Sequence, residues 1–196
     1  MTFERGFKAW CERTAVATRL ELQLEPRAPL SARTLAQHLG IELITPHDLQ
    51  ALSASDLRQL TRTDRSGWSA VSFTIDGRTT VIYNSTNSRG RQSSDIMHEI
   101  AHILRQHEPT QIILSDTAPF AMRSFDAKQE DEANWLGWTL LLPRPALEHC
   151  ADMDLSVDQI AERYEVSEQL VNFRRRMTGI ERQRRQRTNI QRARTK

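Results

Sequence analysis

The feature that most constrains the fold is the segment His98-Glu99-Ile100-Ala101-His102, in which two histidines flank a glutamate. An α-helix advances about 100° per residue, so His98 and His102 lie about 40° apart on one face and can bind one ion together, with Glu99 beside them. The spacing predicts a zinc-binding helix over residues 93–106, since neutral imidazoles on one edge suit zinc. An amphipathic helix that carries two histidines on its outer face is the alternative. The face that would anchor this helix contains Ile96, Met97, Ile100, Ala101, Ile103 and Leu104.

A second helix is predicted over "AKQEDEANWLGWTLLL", and Pro143 stops it. Its second half, 135–142, is apolar nearly all round and should be buried, whereas its first turns are acidic. A buried carboxylate needs a partner. The small residues Ala133 and Gly137 share a face with Glu130 and would let another helix approach closely.

If that neighbour is the histidine helix, Glu130 becomes the third protein ligand of a His, His, Glu set, with Glu132 as the alternative. A fourth position would then remain for water, as in catalytic zinc sites. Asn134, one turn beyond Glu130, would accept a proton from the second nitrogen of a ligand histidine, and Asp95 competes for that role. A solvated acidic helix start, favoured by the helix dipole, is the other explanation of the acidic turns.

The remaining elements predict an α+β fold with a small antiparallel sheet. "SAVSFTI" and "TTVIYN" are rich in β-branched and aromatic residues and form a hairpin across Asp76-Gly77. Helices are predicted over residues 3–24 and 32–39, "IELIT" is a short strand, and 108–126 is irregular. We expect a domain over residues 1–150 that holds the site.

The segment 151–180 has the apolar spacing of a helix-turn-helix, with a capping box from Ser156 and Gln159 and a cap at Ser167. Its second helix ends in Arg174, Arg175 and Arg176, which are candidates for contact with nucleic acid or a protein partner. Residues 181–196 form a basic tail. A solvated tail without a ligand is the alternative explanation of this charge.

The distribution of charge, the lack of long apolar runs and the small number of cysteines argue against a membrane protein and against a thiolate metal site. From Arg174 to Lys196 there are ten basic residues and one acid, so the formal charge of +2 hides an acidic body and a basic end. No apolar run of about 18 residues is present, and the first residues are charged, so we expect a cytoplasmic protein without membrane contact. The two cysteines, Cys11 and Cys150, cannot form a thiolate cluster, so a metal must use His, Asp or Glu.

The two motifs together resemble a known family. "SSDIMHEIAHILRQH", followed 28 residues after His102 by "EDEANWLGWTLLLP", is similar to the ImmA/IrrE metallopeptidases, whose mark is HExxH followed by an ExxAN-type helix. The sequence departs from the family pattern at Trp135, Leu136, Trp138 and Leu142, which alters the lining of the pocket rather than the chemistry.

The resemblance implies a zincin-like fold with zinc ligands His98, His102 and Glu130, and Glu99 as catalytic base. It also implies a cytoplasmic protease that cuts helix-turn-helix repressors in stress, phage or mobile-element circuits. We expect the substrate backbone to add to a sheet edge near "TTVIYN". Tyr83 and His107 are candidates for the oxyanion-stabilising residue, although a core tyrosine and a surface histidine are the simpler interpretations, and Trp68, Trp135 and Trp138 are assigned to the core.

A second function is consistent with the same residues. The metal would only hold helices together, and the C-terminal segment would bind DNA or a partner protein. Glu99 favours the enzyme, because a purely structural site has no use for a carboxylate beside its ligands and would close the fourth position.

Overall fold

The computed structural model describes residues 2–63, 67–107, 113–115, 118–122, 126–180 and 182–183. Within these residues the α-helices are α1 (Phe7–Glu21), α2 (Ala32–His38), α3 (Ala54–Arg58), α4 (Arg89–Leu104), α5 (Ala127–Leu141), α6 (Arg144–Asp152), α7 (Val157–Arg163) and α8 (Glu168–Thr178). The strands are β1 (Glu42–Ile44), β2 (Ala70–Ile75), β3 (Arg78–Tyr83), β4 (Ile113–Ser115) and β5 (Ala118–Met122). A 3₁₀ turn (Pro46–Asp48) and a π-helical turn (Gln59–Thr63) complete the described elements.

The three-stranded sheet is mixed, so the prediction of an antiparallel sheet is wrong for one strand. β2 and β3 form the predicted hairpin, with positive φ angles of 50° at Asp76 and 76° at Gly77 in the turn. β1 pairs with β3 in parallel, with Leu43 opposite Val81. The cause is the long connection over residues 45–69, which contains α3, because a parallel neighbour requires a crossover of a dozen residues or more.

This strand order also changes where a peptide could add to the sheet. The order is β1-β3-β2, so β3, which contains most of "TTVIYN", is central and both of its edges are paired. A peptide therefore cannot add to β3, the strand expected to accept it, because β1 and β2 already pair with both of its edges. β2 is an outer strand of this sheet, and its Ser72 contacts Glu99 of α4.

The segment predicted to be irregular contains regular structure. β4 and β5 form an antiparallel pair inside residues 108–126. The rest of that segment lies outside the described residues.

α4 begins at Arg89, four residues before the predicted start. Ser88 caps it, because its side chain accepts a hydrogen bond from the backbone N–H of Arg91. Gly90 lies in the first turn and does not interrupt the helix.

α4 and α5 pack closely through Gly137, as the small residues of the second helix predicted. A Cβ built at Gly137 would lie 3.2 Å from the carbonyl oxygen of Met97 and 3.4 Å from the backbone nitrogen of His98. Ala133 is completely buried. The histidine helix is thus the neighbour of α5, and the absence of a side chain at position 137 permits the approach.

The two C-terminal helices follow the predicted pattern. Ser156 and Gln159 form the capping box of α7, and the Ser167 side chain accepts from the backbone N–H of Leu170 at the start of α8. One apolar cluster extends from Phe7 in α1 to residues of α7 and α8 and contains the buried faces of α4 and α5. It includes the predicted helix-turn-helix core residues Ile160, Ala161, Val166, Leu170 and Val171, with Phe173 packed against it.

Among the described residues, none of the helices combines the length and apolar character needed to cross a bilayer.

Candidate metal centre

Three side chains from two helices converge at the α4–α5 contact. His98 Nε2 lies 3.1 Å from His102 Nε2 and 3.2 Å from Glu130 Oε2, and His102 Nε2 lies 3.6 Å from Glu130 Oε1. The side chains are 23%, 18% and 28% exposed, so the cluster lies at the wall of a cleft and solvent reaches it. Within the described residues, these are the group of His, Cys, Asp and Glu side chains whose ligand atoms lie close enough to share an ion.

The spacing of these atoms fits a tetrahedral ion. Zinc bonds of about 2.0–2.1 Å at tetrahedral angles separate neighbouring ligand atoms by about 3.3 Å. The observed separations of 3.1, 3.2 and 3.6 Å bracket that value. Two imidazole nitrogens and a carboxylate are also the donor set that catalytic zinc sites use.

Asn134 holds the ring of His98. Its side-chain oxygen lies 3.1 Å from His98 Nδ1, so it can accept a hydrogen bond from Nδ1–H and hold the ring with Nε2 towards the cluster. Asp95, the competing candidate, instead accepts from Arg91 and Asn87. Burial lowers the pKa of His98, but the hydrogen bond that the ring donates to Glu130 and the charges of Glu99 and Glu130 outweigh it and leave the pKa above its usual value.

His107 holds the ring of His102 in a similar way. His107 Nδ1 lies 3.0 Å from His102 Nδ1, and His107 Nε2 lies 3.5 Å from Glu132 Oε2. Burial lowers the pKa of His107 and keeps the ring neutral, although Glu132 opposes this effect. A neutral His107 can accept the proton of His102 Nδ1, which directs the lone pair of His102 Nε2 to the cluster.

Glu132 and His107 therefore do not take the roles considered for them from the sequence. Glu132 is 4% exposed and accepts two hydrogen bonds from Arg105, at 2.5 and 3.0 Å, so its charge is paired behind the cluster. The His107 side chain is 7% exposed and faces His102 and Glu132, so it does not reach a reacting oxyanion. Arg105 in turn lies over the rings of Phe7 and Trp10, which ties this chain of contacts to α1.

Glu99 lies beside the cluster in a buried position. It is 7% exposed, and its Oε2 accepts a hydrogen bond of 2.6 Å from Ser72 Oγ in β2. A hydroxyl donor on a carboxylate of this depth restricts its rotation and satisfies one oxygen. The sheet thus orients the carboxylate that the histidine helix carries.

The aromatic candidates have different positions. Tyr83 is 8% exposed, and its hydroxyl accepts from Arg33, whose guanidinium also lies over the ring, so Tyr83 belongs to the core as the simpler interpretation held. Trp68 donates to the carbonyl of Leu60. Trp135 is buried, but Trp138, assigned to the core, is partly buried and lines the cleft.

A cleft of about 970 Å³ opens from the cluster towards α8. His98, Glu130 and Asn134 lie at one end, and residues of α8 form the facing wall. The volume lies at the upper end of the range of sites that bind small molecules, about 300–1,000 Å³.

The three arginines of α8 have different environments. Arg174 is 1% exposed, donates from Nε to the carbonyl of Leu142, and pairs with Glu12 at 2.6 Å. It is therefore an internal anchor and is not presented to nucleic acid. Arg176 lines the cleft, and Arg175 lies beside a small cavity on the other side of α8.

Sequence reasoning did not assign roles to Ser72 or Arg105. Ser72 lies on the same strand face as the buried Ala70, so its side chain is expected to point inward. The sequence does not indicate which residue it contacts there. Arg105 lies at the end of α4, where the helix dipole favours any cation. The sequence therefore offers no reason to expect its pairing with Glu132.

Two imidazoles one helical turn apart and a carboxylate from a second helix form a three-residue group that could hold a metal ion, with the donor set that metallopeptidases use. Residues 36–176 match the model of peptidase family M78, described as an IrrE N-terminal-like domain. The chain belongs to this family, which confirms the resemblance indicated by its two motifs. The match begins in α2 and ends in α8, so it includes both helices of the site and the facing wall of the cleft. No curated protein matches the chain.

Proposed function

We propose that the protein is a zinc-dependent metalloendopeptidase in which His98, His102 and Glu130 hold the ion and Glu99 is the catalytic base. The observation that carries the proposal is the separation of the three ligand atoms, 3.1 to 3.6 Å, in a chain of a peptidase family. The side chains around the cluster support it, because Asn134 and His107 contact Nδ1 of the two imidazoles and leave both Nε2 atoms facing Glu130.

Zinc is the metal that the donor set favours. Both cysteines are fully buried in the core, so the described residues around the cluster supply imidazole and carboxylate donors only. When bound, zinc would supply Lewis acidity that polarises the scissile carbonyl and acidifies the attacking water.

Glu99 would move the proton in both halves of the reaction. It accepts the proton of the attacking water and later donates it to the leaving amine. We assign this transfer to Oε1, since Oε2 accepts the hydrogen bond from Ser72. The same bond keeps the carboxylate from rotating between the two steps.

The substrate would be an extended segment of a protein. β2 is an outer strand of the sheet and carries Ser72, which contacts Glu99, so a peptide backbone that adds a strand alongside β2 would pass near Glu99. The resemblance to ImmA/IrrE proteins implies a helix-turn-helix transcriptional repressor as the substrate, in a cytoplasmic regulatory circuit. A small helix-turn-helix repressor encoded beside this chain would be the candidate substrate.

The test compares zinc-loaded full-length protein with Glu99→Gln on that repressor, and follows the cleavage products by mass spectrometry. We expect cleavage by the wild type and none by Glu99→Gln, with zinc content unchanged in both because the ligands remain. Glu162→Gln, the same substitution at an exposed position on α7, is the matched control and should cleave normally.

Two results would contradict the proposal. Cleavage by Glu99→Gln at the wild-type rate would remove the assigned base. Salt-sensitive binding to duplex DNA, with no cleavage of the repressor by zinc-loaded wild type, would favour a non-catalytic regulator stabilised by its metal. The burial of Arg174 weighs against that alternative, since it removes one of the three cations from the surface.

A further inference from the structure

The cleft that begins at His98 and Glu130 continues along α8. A peptide bound at the candidate metal site would therefore also contact α8. We propose that α8 forms the specificity wall of the substrate cleft, and that Arg176 binds an acidic side chain of the peptide near the scissile bond. This inference rests on the proposed function for its substrate, a peptide, but the binding surface is defined by α8 itself.

α8 is fixed to the site helix by aromatic packing. The Phe173 ring lies edge-on to the Trp138 ring of α5, with centroids 4.7 Å apart, and to the Trp135 ring at 5.9 Å. Arg174 adds hydrogen bonds to the end of α5 at Leu142 and to Glu12 of α1. These contacts position α8 beside the helix that carries Glu130.

The start of α8 is fixed to α4 as well. A Cβ built at Gly90 would lie 3.3 Å from the backbone carbon of Val166 and 3.6 Å from the backbone nitrogen of Ser167. The turn before α8 therefore packs directly on the first turn of the histidine helix, because position 90 has no side chain. The start and the middle of α8 are thus positioned by contacts with α4 and α5, the helices that carry His98, His102 and Glu130.

The face of α8 that looks into the cleft is polar and exposed. Gln169, Asn172 and Arg176 recur at three- and four-residue spacing, and each is exposed and lines the cleft. Leu170, Val171 and Arg174 form the buried face. A polar helix face that ends at a metal cluster offers hydrogen bonds to a peptide that occupies the cleft.

The charges of the cleft favour an acidic ligand. Arg91 is paired with Asp95 at 2.9 Å, and Glu130 belongs to the metal cluster. Arg176 also lines the cleft and lies with its guanidinium 5.8 Å from the Phe173 ring, and no carboxylate among the described residues forms an ion pair with it. It is therefore the wall cation available to a carboxylate of the substrate.

The floor beside Arg176 is apolar. Trp138, Phe173 and Leu170 line it, so an apolar substrate side chain next to the acidic one would be buried there. At about 970 Å³ the cleft has room for several side chains of a peptide segment. The residues of α8 that face it are consequently assigned to peptide recognition.

The test measures peptide binding separately from cleavage. Zinc-loaded wild type, Arg176→Glu and Arg163→Glu are each applied to an array of random peptides, and bound peptides are compared for Asp and Glu content. Arg163 is exposed on α7 and does not line the cleft, so its reversal is the charge-matched control. We expect wild type and Arg163→Glu to enrich acidic peptides, and Arg176→Glu to bind the same peptides about fivefold or more weakly.

A second variant, Gln169→Ala with Asn172→Ala, changes no charge and should weaken binding while it leaves the acidic preference intact. Identical peptide selection by wild type and Arg176→Glu, or no enrichment of peptides by wild type, would overturn the inference. Loss of duplex binding in Arg176→Glu with peptide selection unchanged would also overturn it. Acidic peptides that bind through Arg176 but are never cleaved would instead contradict the proposed function, whereas the inference that α8 selects the bound peptide would remain valid.

Discussion

Ser72 Oγ donates a hydrogen bond of 2.6 Å to Glu99 Oε2, and this contact joins the edge strand β2 to the histidine helix. The two residues are 27 positions apart in the chain, so the contact depends on the packing of the sheet against α4. It gives the serine a role in the orientation of the proposed base, although the serine does not touch the metal cluster.

Ser72→Ala should lower kcat by about tenfold, because a hydrogen bond to a charged group contributes on the order of 1.5–3 kcal/mol and only part of it is specific to the transition state. Zinc affinity should not change, since the three ligands remain. Steady-state cleavage of the repressor and a zinc titration measure the two quantities. Thr74→Ala, on the same strand but paired with Thr79 on the surface, is the control. Equal kcat in Ser72→Ala and Thr74→Ala would show that the serine is not a positioning residue.

His107→Ala should weaken zinc binding by about 10–100-fold, as the loss of a residue that orients a ligand histidine does. His102 would lose the acceptor of its Nδ1 proton, 3.0 Å away, and its ring could then rotate. Competition with a chromophoric chelator measures the affinity without any assay of activity. His38→Ala, an exposed histidine at the end of α2, should bind zinc like the wild type.

Glu132→Gln provides a second test of the same contacts. The amide would keep the shape of the side chain but remove the charge that pairs with Arg105 and faces His107. We expect a smaller loss of zinc affinity than in His107→Ala. Unchanged affinity in both variants would mean that His107 and Glu132 only fill space behind the cluster.

Much of the site could be predicted because it depends on residues that lie within one or two helical turns of each other in the sequence. The four-residue spacing of His98 and His102 determines their shared face, and the small residues of α5 indicated a close neighbour. Helix starts were predictable at Ser31, Ser156 and Ser167 for the same reason, since a cap acts within three residues.

The remainder depends on contacts between distant segments. A long connection separates β1 from β3, and no local sequence pattern shows in which direction it returns the chain to the sheet. The parallel pairing of the two strands was therefore not expected. Glu132 and Glu130 both lie in the first turns of α5, and only the position of Arg105 and His107 shows which of the two faces the histidines and which is paired behind them. The role of α8 as a cleft wall likewise depends on the contact of Phe173 with Trp138.

Gly137→Ala should destabilise the protein by about 1–3 kcal/mol, because the added methyl group overpacks the α4–α5 contact. Its Cβ would lie 3.2 Å from the carbonyl oxygen of Met97, a backbone atom that cannot move without the helix. The better helix propensity of alanine offsets up to about 1 kcal/mol of this cost. Urea denaturation measures the change, and Lys128→Ala, which removes an exposed pair with Glu4, is the control on α5. A variant as stable as wild type would show that the two helices can separate freely.

Arg174→Ala should destabilise the protein by about 3 kcal/mol, since it removes a buried cation and leaves Glu12 and the Leu142 carbonyl without their partner. Arg175→Ala, at the neighbouring and more exposed position, should have a much smaller effect. Urea denaturation of both variants gives the comparison, and duplex binding at two salt concentrations shows whether either cation contacts DNA. If Arg174→Ala is as stable as Arg175→Ala but binds duplex more weakly, the arginine reaches a partner in solution and the anchoring contacts to Glu12 and Leu142 do not hold it.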